Sequence, residues 1–176
     1  DLLEGRYERA IGIYRRLLDG DAAEKAAGAY SLGIIYESGT GVTEDDVEAE
    51  KYYSIAEENG AEMGTYRLAR IHLRRKELSQ AMKKFKQVAA TNPSAAYWIY
   101  RLLNENQGLI EQEGEKEQYL ALAIEQGHVH AKKVDVMERI MGRKGLLRIP
   151  SGLIDYVRLV FETKNAVAND DKMRYQ

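Results

Sequence analysis

A pairing of a small and a large residue recurs along the chain at long, nearly regular intervals. Ala10, Ala49 and Ala81 each precede an aromatic residue by four positions, and Lys116 occupies the same place in a further copy. The steps between these positions are 39, 32 and 35 residues. Periods of this length are typical of proteins built from repeated helix pairs, in which each unit buries its apolar face against the next. The sequence therefore predicts a stack of repeats.

Each copy of the pattern predicts two helices. The clearest copy has one apolar segment over residues 29–36 and a second over residues 49–56. Residues four apart lie on the same face of a helix, so Ala49 and Tyr53 share one face. The small side chain lets a neighbouring helix approach closely, and the large one fills the space beside it. We therefore expect Ala49 and its counterpart Ala81 to be buried where helices cross.

The ends of the helices carry their own signals. Four residues follow the second helix of successive copies, 10 or 11 positions after its anchoring residue, and favour the left-handed conformation of a helix end: Gly20, Gly60, Asn92 and Gly127. Asp45 stands three positions before Glu48, ahead of an apolar segment, which predicts a capping box at the start of a helix.

These signals together predict an all-α fold, an α-α superhelix (solenoid) of antiparallel helix pairs. Seven to nine helices and no β-sheet are expected, with loops near 19–24, 38–45, 59–62, 75–78, 91–94, 105–115 and 142–151. Residues 1–142 would form the repeat domain, divided into a half repeat 1–20, repeats 21–60, 61–92 and 93–127, and a partial repeat 128–142. Residues 143–176 would hold a basic linker, a capping helix from about 153 to 165 that covers the last repeat, and a polar tail.

The first complete copy resembles the Sel1-like repeat, a relative of the tetratricopeptide repeat. The resemblance rests on Leu32-Gly33-x-x-Tyr36, Gly39-x-Gly41-Val42, Ala49-x-x-x-Tyr53-x-x-Ala56 and Asn59-Gly60. It covers roughly residues 1–142, is nearly complete over 28–60 and loosens afterwards, where Lys116 replaces the small residue. The resemblance implies a non-enzymatic scaffold or adaptor that binds a protein or peptide partner, as in bacterial envelope, secretion or polysaccharide assembly systems.

Chemistry beyond binding finds little support in the sequence. There is no cysteine, and no phosphate-binding or nucleophile motif is present. His128 and His130 are two residues apart, a spacing that places them on different sides of a helix, so a shared metal ion is not expected. We interpret His128 as a helix cap or surface residue and His72 as a buried or half-buried residue on the core side of its helix. No catalytic residue, cofactor or metal is predicted.

Charge separates the repeats from the segment that follows them. The formal net charge is −2, which argues against bulk binding of nucleic acid. Residues 143–164 nevertheless carry a net charge of +3, so contact of the segment 148–164 with anionic lipid is an alternative. The second hypothesis is therefore a self-assembling or membrane-peripheral structural element. The chain begins inside or just before a helix, as a piece of a longer protein would, and its compartment and oligomeric state stay open.

A strip of aromatic and basic side chains marks the candidate binding surface. In tetratricopeptide-type stacks the first helix of each pair lines the inner, concave surface. Six residues of the first helices are candidates for partner binding there: Tyr30, Ile34, Tyr66, Arg70, Arg74 and Trp98. Aromatic residues and arginine dominate interface energetics, but a tyrosine in this place also packs between helices, and both interpretations stay open. Trp98 is the strongest candidate, because the pattern asks only for tyrosine or a smaller residue, and we expect it to be partly exposed.

Overall fold

The computed structural model describes residues 4–140 and 154–155, and these residues form eight α-helices, one 3-10 helix and no strand. The α-helices are α1 (Glu4–Leu17), α2 (Ala22–Ser38), α3 (Asp46–Glu58), α4 (Glu62–Arg74), α5 (Leu78–Val88), α6 (Pro93–Glu105), α7 (Glu115–Glu125) and α8 (Val129–Ile140). The 3-10 helix, Gln107–Leu109, lies in the loop between α6 and α7. The predicted all-α class is confirmed, and the loops within the described residues lie where the sequence places them.

The helices pack in pairs, and each pair packs on the next. Helix α2 packs against α3, α4 against α5, and α6 against α7, while the contacts of α3 with α4 and α5 with α6 join successive pairs. Helices α1 and α8 pack on the two outer members of this series, α2 and α7. The described chain is therefore a solenoid in which each helix contacts its neighbours in sequence. For clarity, we call α2, α4, α6 and α8 the first helices and α3, α5 and α7 the second helices.

Small and aromatic residues of the second helices occupy the core as their spacing predicts. Ala49 and Tyr53 in α3 are fully buried, and so are Ala81 and Phe85 in α5. Helix α7 departs from the pattern, because Lys116 lies half-buried and forms an ion pair with Glu117 at 3.5 Å. The buried apolar residues of this helix are instead Leu120 and Ala123, which follow Lys116.

The predicted helix caps are partly wrong. Asp45 caps α3 through bonds from the amides of Val47 and Glu48, but the reciprocal bond of a capping box is absent there. Glu48 pairs instead with Lys51. The complete capping box lies at the start of α2, where the Asp21 side chain accepts from the Glu24 amide and the Glu24 carboxylate accepts from the Asp21 amide.

The predicted left-handed helix ends are also only partly correct. Gly60 and Gly127 adopt positive φ values of 87° and 89°, as expected. Gly20 does not, and the Glu24 side chain of the capping box folds over the space where a Cβ of Gly20 would lie. Asn92 has an extended backbone and caps the start of α6, accepting from the amides of Ser94 and Ala95. An N-cap satisfies amides that the helix leaves free, and this role suits asparagine equally well.

The predicted C-terminal capping helix lies almost wholly outside the described residues. Of the two residues that are described there, Ile154 is 63% exposed. The Asp155 carboxylate accepts a hydrogen bond from Arg139 on α8 at 2.6 Å. The described contact between this segment and α8 is therefore ionic.

Glycine permits close approach within the α2–α3 pair and between this pair and α4. A Cβ at Gly33 in α2 would lie 2.5 Å from Cδ1 of the buried Tyr53 ring, closer than real Cβ contacts allow. A Cβ at Gly64 in α4 would lie 2.9 Å from the Tyr53 carbonyl oxygen. Helices α2 and α4 thus both contact α3 at Tyr53. Each contact requires a residue without a side chain, at Gly33 in α2 and at Gly64 in α4.

Replacing either buried alanine of the second helices with leucine should destabilise the fold. Ala49→Leu and Ala81→Leu insert a larger side chain into fully packed helix crossings, at an expected cost of about 1–3 kcal/mol in the free energy of unfolding. Urea denaturation of the two variants measures this cost. Unchanged midpoints in both variants would contradict the register assigned to α3 and α5.

Two glycine-to-alanine changes should act in opposite directions. Gly33→Ala gains about 1 kcal/mol of helix propensity, but its methyl group overlaps the Tyr53 ring, and the overpacking should outweigh that gain, leaving the variant less stable. Gly12→Ala is the matched control, since Gly12 lies within α1 and its Cβ would meet no atom within 4 Å. This control should be stabilised by about 0.5–1 kcal/mol. Equal stabilisation of both variants would show that α2 and α3 are not in close contact at Gly33.

Candidate functional site

A pocket with a volume of about 280 Å³ lies where three successive first helices meet. Its lining comes from α4, from α6 and from the start of α8: Tyr66, Ser94, Tyr97, Trp98, Arg101, His128 and His130. We call this set of residues the aromatic pocket. None of its lining residues is acidic. Because each of the three helices belongs to a different repeat, the pocket depends on the stacking of the repeats.

A buried phenylalanine supports the floor of the aromatic pocket. The Phe85 ring, fully buried in α5, lies nearly parallel to the Trp98 ring, with centroids 6.3 Å apart and planes 8° apart. The centroids of the Tyr66 and Phe85 rings are 5.8 Å apart. Tyr66 is only 9% exposed, whereas Trp98 is half-buried. One core residue therefore fixes the positions of two pocket residues from different repeats.

Arginine and histidine form the polar part of the aromatic pocket. The Arg101 guanidinium carbon lies 4.8 Å from the centroid of the Trp98 ring, within the range of a cation–π interaction. Arg101 also donates to the Glu105 carboxylate at 2.8 Å. On the opposite side, the Tyr97 ring stacks on His128, with centroids 4.4 Å apart, and lies 6.2 Å from His130. The rings of the pocket are thus held by contacts with one another before any ligand binds.

His128 serves as a cap for α8, which confirms the capping role predicted for it. Its Nδ1 accepts a hydrogen bond from the Ala131 amide at 3.2 Å, so this nitrogen must be unprotonated. Burial lowers the pKa of His128 below its ordinary value, and the neighbouring His130 lowers it further. His72, as predicted, is half-buried, and its Nδ1 lies 2.6 Å from the Glu77 carboxylate.

The six residues of the predicted strip lie in different surroundings in the structure. Tyr66 and Trp98 line the aromatic pocket together. Tyr30 lines a separate apolar depression of about 500 Å³ between α2 and the start of α4, next to Met63, and its ring lies 5.9 Å from that of Tyr53. Ile34 is half-buried and packs on the same core cluster as Tyr53.

The two remaining arginines of the strip differ in their partners. Arg74 pairs with Glu37 at 2.8 Å and with Asp46 at 2.6 Å, so its guanidinium is engaged within the chain. Arg70 lies one helical turn after Tyr66, is half-buried, and makes no hydrogen bond or ion pair with any residue that the structure describes. Of the two, Arg70 is the one available to a partner.

Glu37 is the centre of an ionic network beside the first repeat boundary. Its carboxylate accepts a hydrogen bond from the Tyr53 hydroxyl at 2.6 Å and pairs with Arg67 and Arg74. Burial opposes ionisation of Glu37, but the hydroxyl and the two guanidinium groups outweigh it and lower the pKa of this carboxyl. Burial, and then the Glu37 carboxylate, raise the pKa of Tyr53 well above its ordinary value. This network holds α2, α3 and α4 together and has a structural role.

Several pocket residues were not among the candidates from sequence. Ser94, Tyr97, Trp98 and Arg101 follow the spacing i, i+3, i+4, i+7, which places them on one face of α6. That stripe was a signal that could have identified Tyr97 and Arg101. The contribution of the histidines depends on how α8 packs against α6, and no local pattern reports that contact.

In the described residues no three histidine, cysteine, aspartate or glutamate side chains converge on a point that could hold a metal ion. None of the helices that the structure describes has both the length and the apolar character needed to cross a membrane.

Acidification should weaken the fold through His128. Because its pKa is lowered in the folded state, the unfolded chain binds more protons as the pH falls through the ordinary value of 6.5 and below. The free energy of unfolding should therefore fall between about pH 7 and pH 5. His128→Asn is the matched control, since asparagine also caps a helix but does not titrate. Denaturation of both proteins at several pH values in this range measures their free energies of unfolding. If the difference in free energy between the parent and the variant did not change with pH, the expectation would be contradicted.

The sequence matches no protein-family model and no curated protein. Solved structures do match. A Sel1 repeat protein from Oxalobacter formigenes superimposes with a TM-score of 0.65 at 21% identity, covering 77% of this chain and 57% of that protein. A protective antigen present in uropathogenic Escherichia coli strains, which displays an SLR fold, superimposes with a TM-score of 0.61 at 17% identity. That match covers 85% of this chain and 37% of the antigen, so the chain spans between about a third and three fifths of the length of these two proteins. The described chain therefore has the Sel1-like repeat fold.

Proposed function

We propose that this chain is a non-enzymatic protein-interaction scaffold that binds a segment of a partner protein along its first helices, with the aromatic pocket as the anchor site. The observation that carries the proposal is the pocket itself. Three successive first helices each contribute side chains to it, and Trp98 is one of its half-buried lining residues.

The composition of the aromatic pocket suits protein recognition. Tryptophan, tyrosine and arginine are enriched among the residues that dominate binding energy, especially where they sit in preformed recesses. A volume of about 280 Å³ lies at the small end of the range for ligand sites. It suits one or two side chains of a protein segment better than a whole cofactor.

Arg70 and the apolar depression beside Tyr30 extend this surface beyond the aromatic pocket. Met63 lines the depression and lies three residues before Tyr66 on α4, so the two recesses adjoin along one helix. A segment anchored at Trp98 could follow this line towards α2. Extended binding surfaces of this kind are a general property of stacked repeats.

The finer assignments stay predictions. Membership of a bacterial envelope, secretion or polysaccharide assembly system is implied only by the resemblance, since a shared fold hosts many functions. The alternative, a self-assembling or membrane-peripheral element, depends on residues 148–164, of which only 154 and 155 are described. Sedimentation of the isolated chain separates the two hypotheses, because a monomer that co-purifies with a different protein supports the scaffold.

Trp98→Ala should abolish co-purification of a partner from the source cell while leaving the chain folded. The side chain is half-buried, so the thermal unfolding midpoint should stay within a few degrees of the parent. Tyr7→Ala, which removes an aromatic residue that is 38% exposed on α1, is the matched control and should retain the partner. Mass spectrometry of the co-purified proteins provides the measurement.

If Trp98→Ala unfolds the chain, Arg101→Gln decides the question, because an exposed guanidinium can be replaced with little effect on stability. Retention of every partner by both variants, with folding intact, would contradict a binding role for the aromatic pocket. The binding surface would then have to lie elsewhere on the chain.

A further inference from the structure

On three first helices, a positively charged residue follows a residue of the aromatic pocket by three or four positions. Arg70 follows Tyr66 by four residues on α4, and Arg101 follows Trp98 by three residues on α6. On α8, Lys133 follows His130 by three residues. Residues three or four apart lie on one side of a helix. Arg101 itself lines the pocket, and Arg70 and Lys133 lie about one turn further along α4 and α8 than the pocket residues Tyr66 and His130. We call Arg70, Arg101 and Lys133 the cationic row.

The charges of the cationic row are largely uncompensated. Arg70 and Lys133 make no ion pair or hydrogen bond with the described residues, in contrast to Arg67 and Arg74. Within the part of the chain that the structure describes, Arg101 forms an ion pair only with Glu105, and both side chains of this pair are substantially exposed, at 41% and 55%. Exposed ion pairs of this kind contribute little free energy, so a ligand carboxylate could replace Glu105 at small cost.

We propose that the surface selects an acidic protein segment, in which one large apolar or aromatic side chain enters the aromatic pocket and neighbouring aspartate or glutamate residues contact the cationic row. The proposal rests on the proposed function and names the chemistry of the partner. It follows from two observations together. The aromatic pocket is lined by rings and has no acidic lining residue, and the cationic row accompanies it on the same three helices.

The usual spacing of side chains on a helix and of residues in an extended chain is compatible with such a segment. Side chains three or four residues apart on a helix are about 5–6 Å apart at Cβ. An extended chain advances about 3.3 Å per residue. Carboxylates one or two positions from the anchoring residue would therefore reach the cationic row. Lysine-rich segments would meet like charges there, which disfavours them.

Trp98 is the only tryptophan of the chain, so its fluorescence reports directly on the aromatic pocket. The test uses three synthetic twelve-residue peptides with a central phenylalanine flanked on each side by two glutamates, two glutamines or two lysines. Titration of the whole chain at low salt should change the Trp98 emission at the lowest concentration for the glutamate peptide. Its advantage over the glutamine peptide should shrink as salt is added, because screening weakens exposed charge pairs.

Variants assign the selectivity to particular residues. Arg70→Gln, Arg101→Gln and Lys133→Gln should each weaken binding of the glutamate peptide by roughly 2- to 5-fold, as expected for exposed ion pairs. Lys83→Gln is the matched control, because Lys83 is an exposed residue of α5 outside the pocket. It should leave the affinity unchanged, and binding of the glutamine peptide should be unaffected by all four changes.

Other results would overturn the inference in distinguishable ways. Equal affinity for the glutamate and glutamine peptides would remove the charge selectivity and leave peptide binding by the scaffold intact. Tighter binding of the lysine peptide, or of a thymidine oligonucleotide used as a polyanion control, would assign the surface to a different class of partner. Absence of any response to the glutamate peptide at millimolar concentration would also reject the proposal, whereas the scaffold function would still be judged by the Trp98→Ala co-purification.

Discussion

Helices α3 and α5 each bury one aromatic residue that contacts the first helices on both sides of it. Tyr53 in α3 lies over Gly33 of α2, and its backbone meets Gly64 of α4. Phe85 in α5 contacts Tyr66 of α4 and Trp98 of α6. Both rings are fully buried. The separation of successive first helices, and therefore the shape of the surface between them, depends on these two rings.

The chemical difference between the two rings accompanies a difference in the ionic contacts around them. The Tyr53 hydroxyl is buried and requires a partner, which Glu37 provides, and the Glu37 carboxylate in turn engages Arg67 and Arg74. Phe85 has no hydroxyl. The position that corresponds to Glu37 in the next repeat is Leu73, which packs on the apolar core. Loss of the hydroxyl and loss of the carboxylate thus occur together between these two repeats.

The internal periodicity was sufficient to predict the fold and the core positions, because a solenoid builds both from contacts that repeat in sequence. Ala49, Ala81 and Trp98 have the burial expected of them. Errors arose where one residue type serves two purposes. Asn92 suits a left-handed helix end and an N-cap alike, and only the chain that follows it decides between them. The histidines of the aromatic pocket could not be predicted, since their place depends on how one repeat packs on the next.

The sharing of the aromatic pocket among α4, α6 and α8 has a consequence for the dynamics of the stack. In repeat proteins each unit is held by its neighbours, so local opening at one repeat boundary needs less free energy than global unfolding. If α8 opened, His128 and His130 would leave the pocket, and the pocket would lose the part of its lining that these two residues provide. A ligand that binds only the assembled pocket therefore lowers the population of such opened states by mass action. Amide protons of α8 would then exchange more slowly in the complex, even where the ligand makes its main contacts with α6.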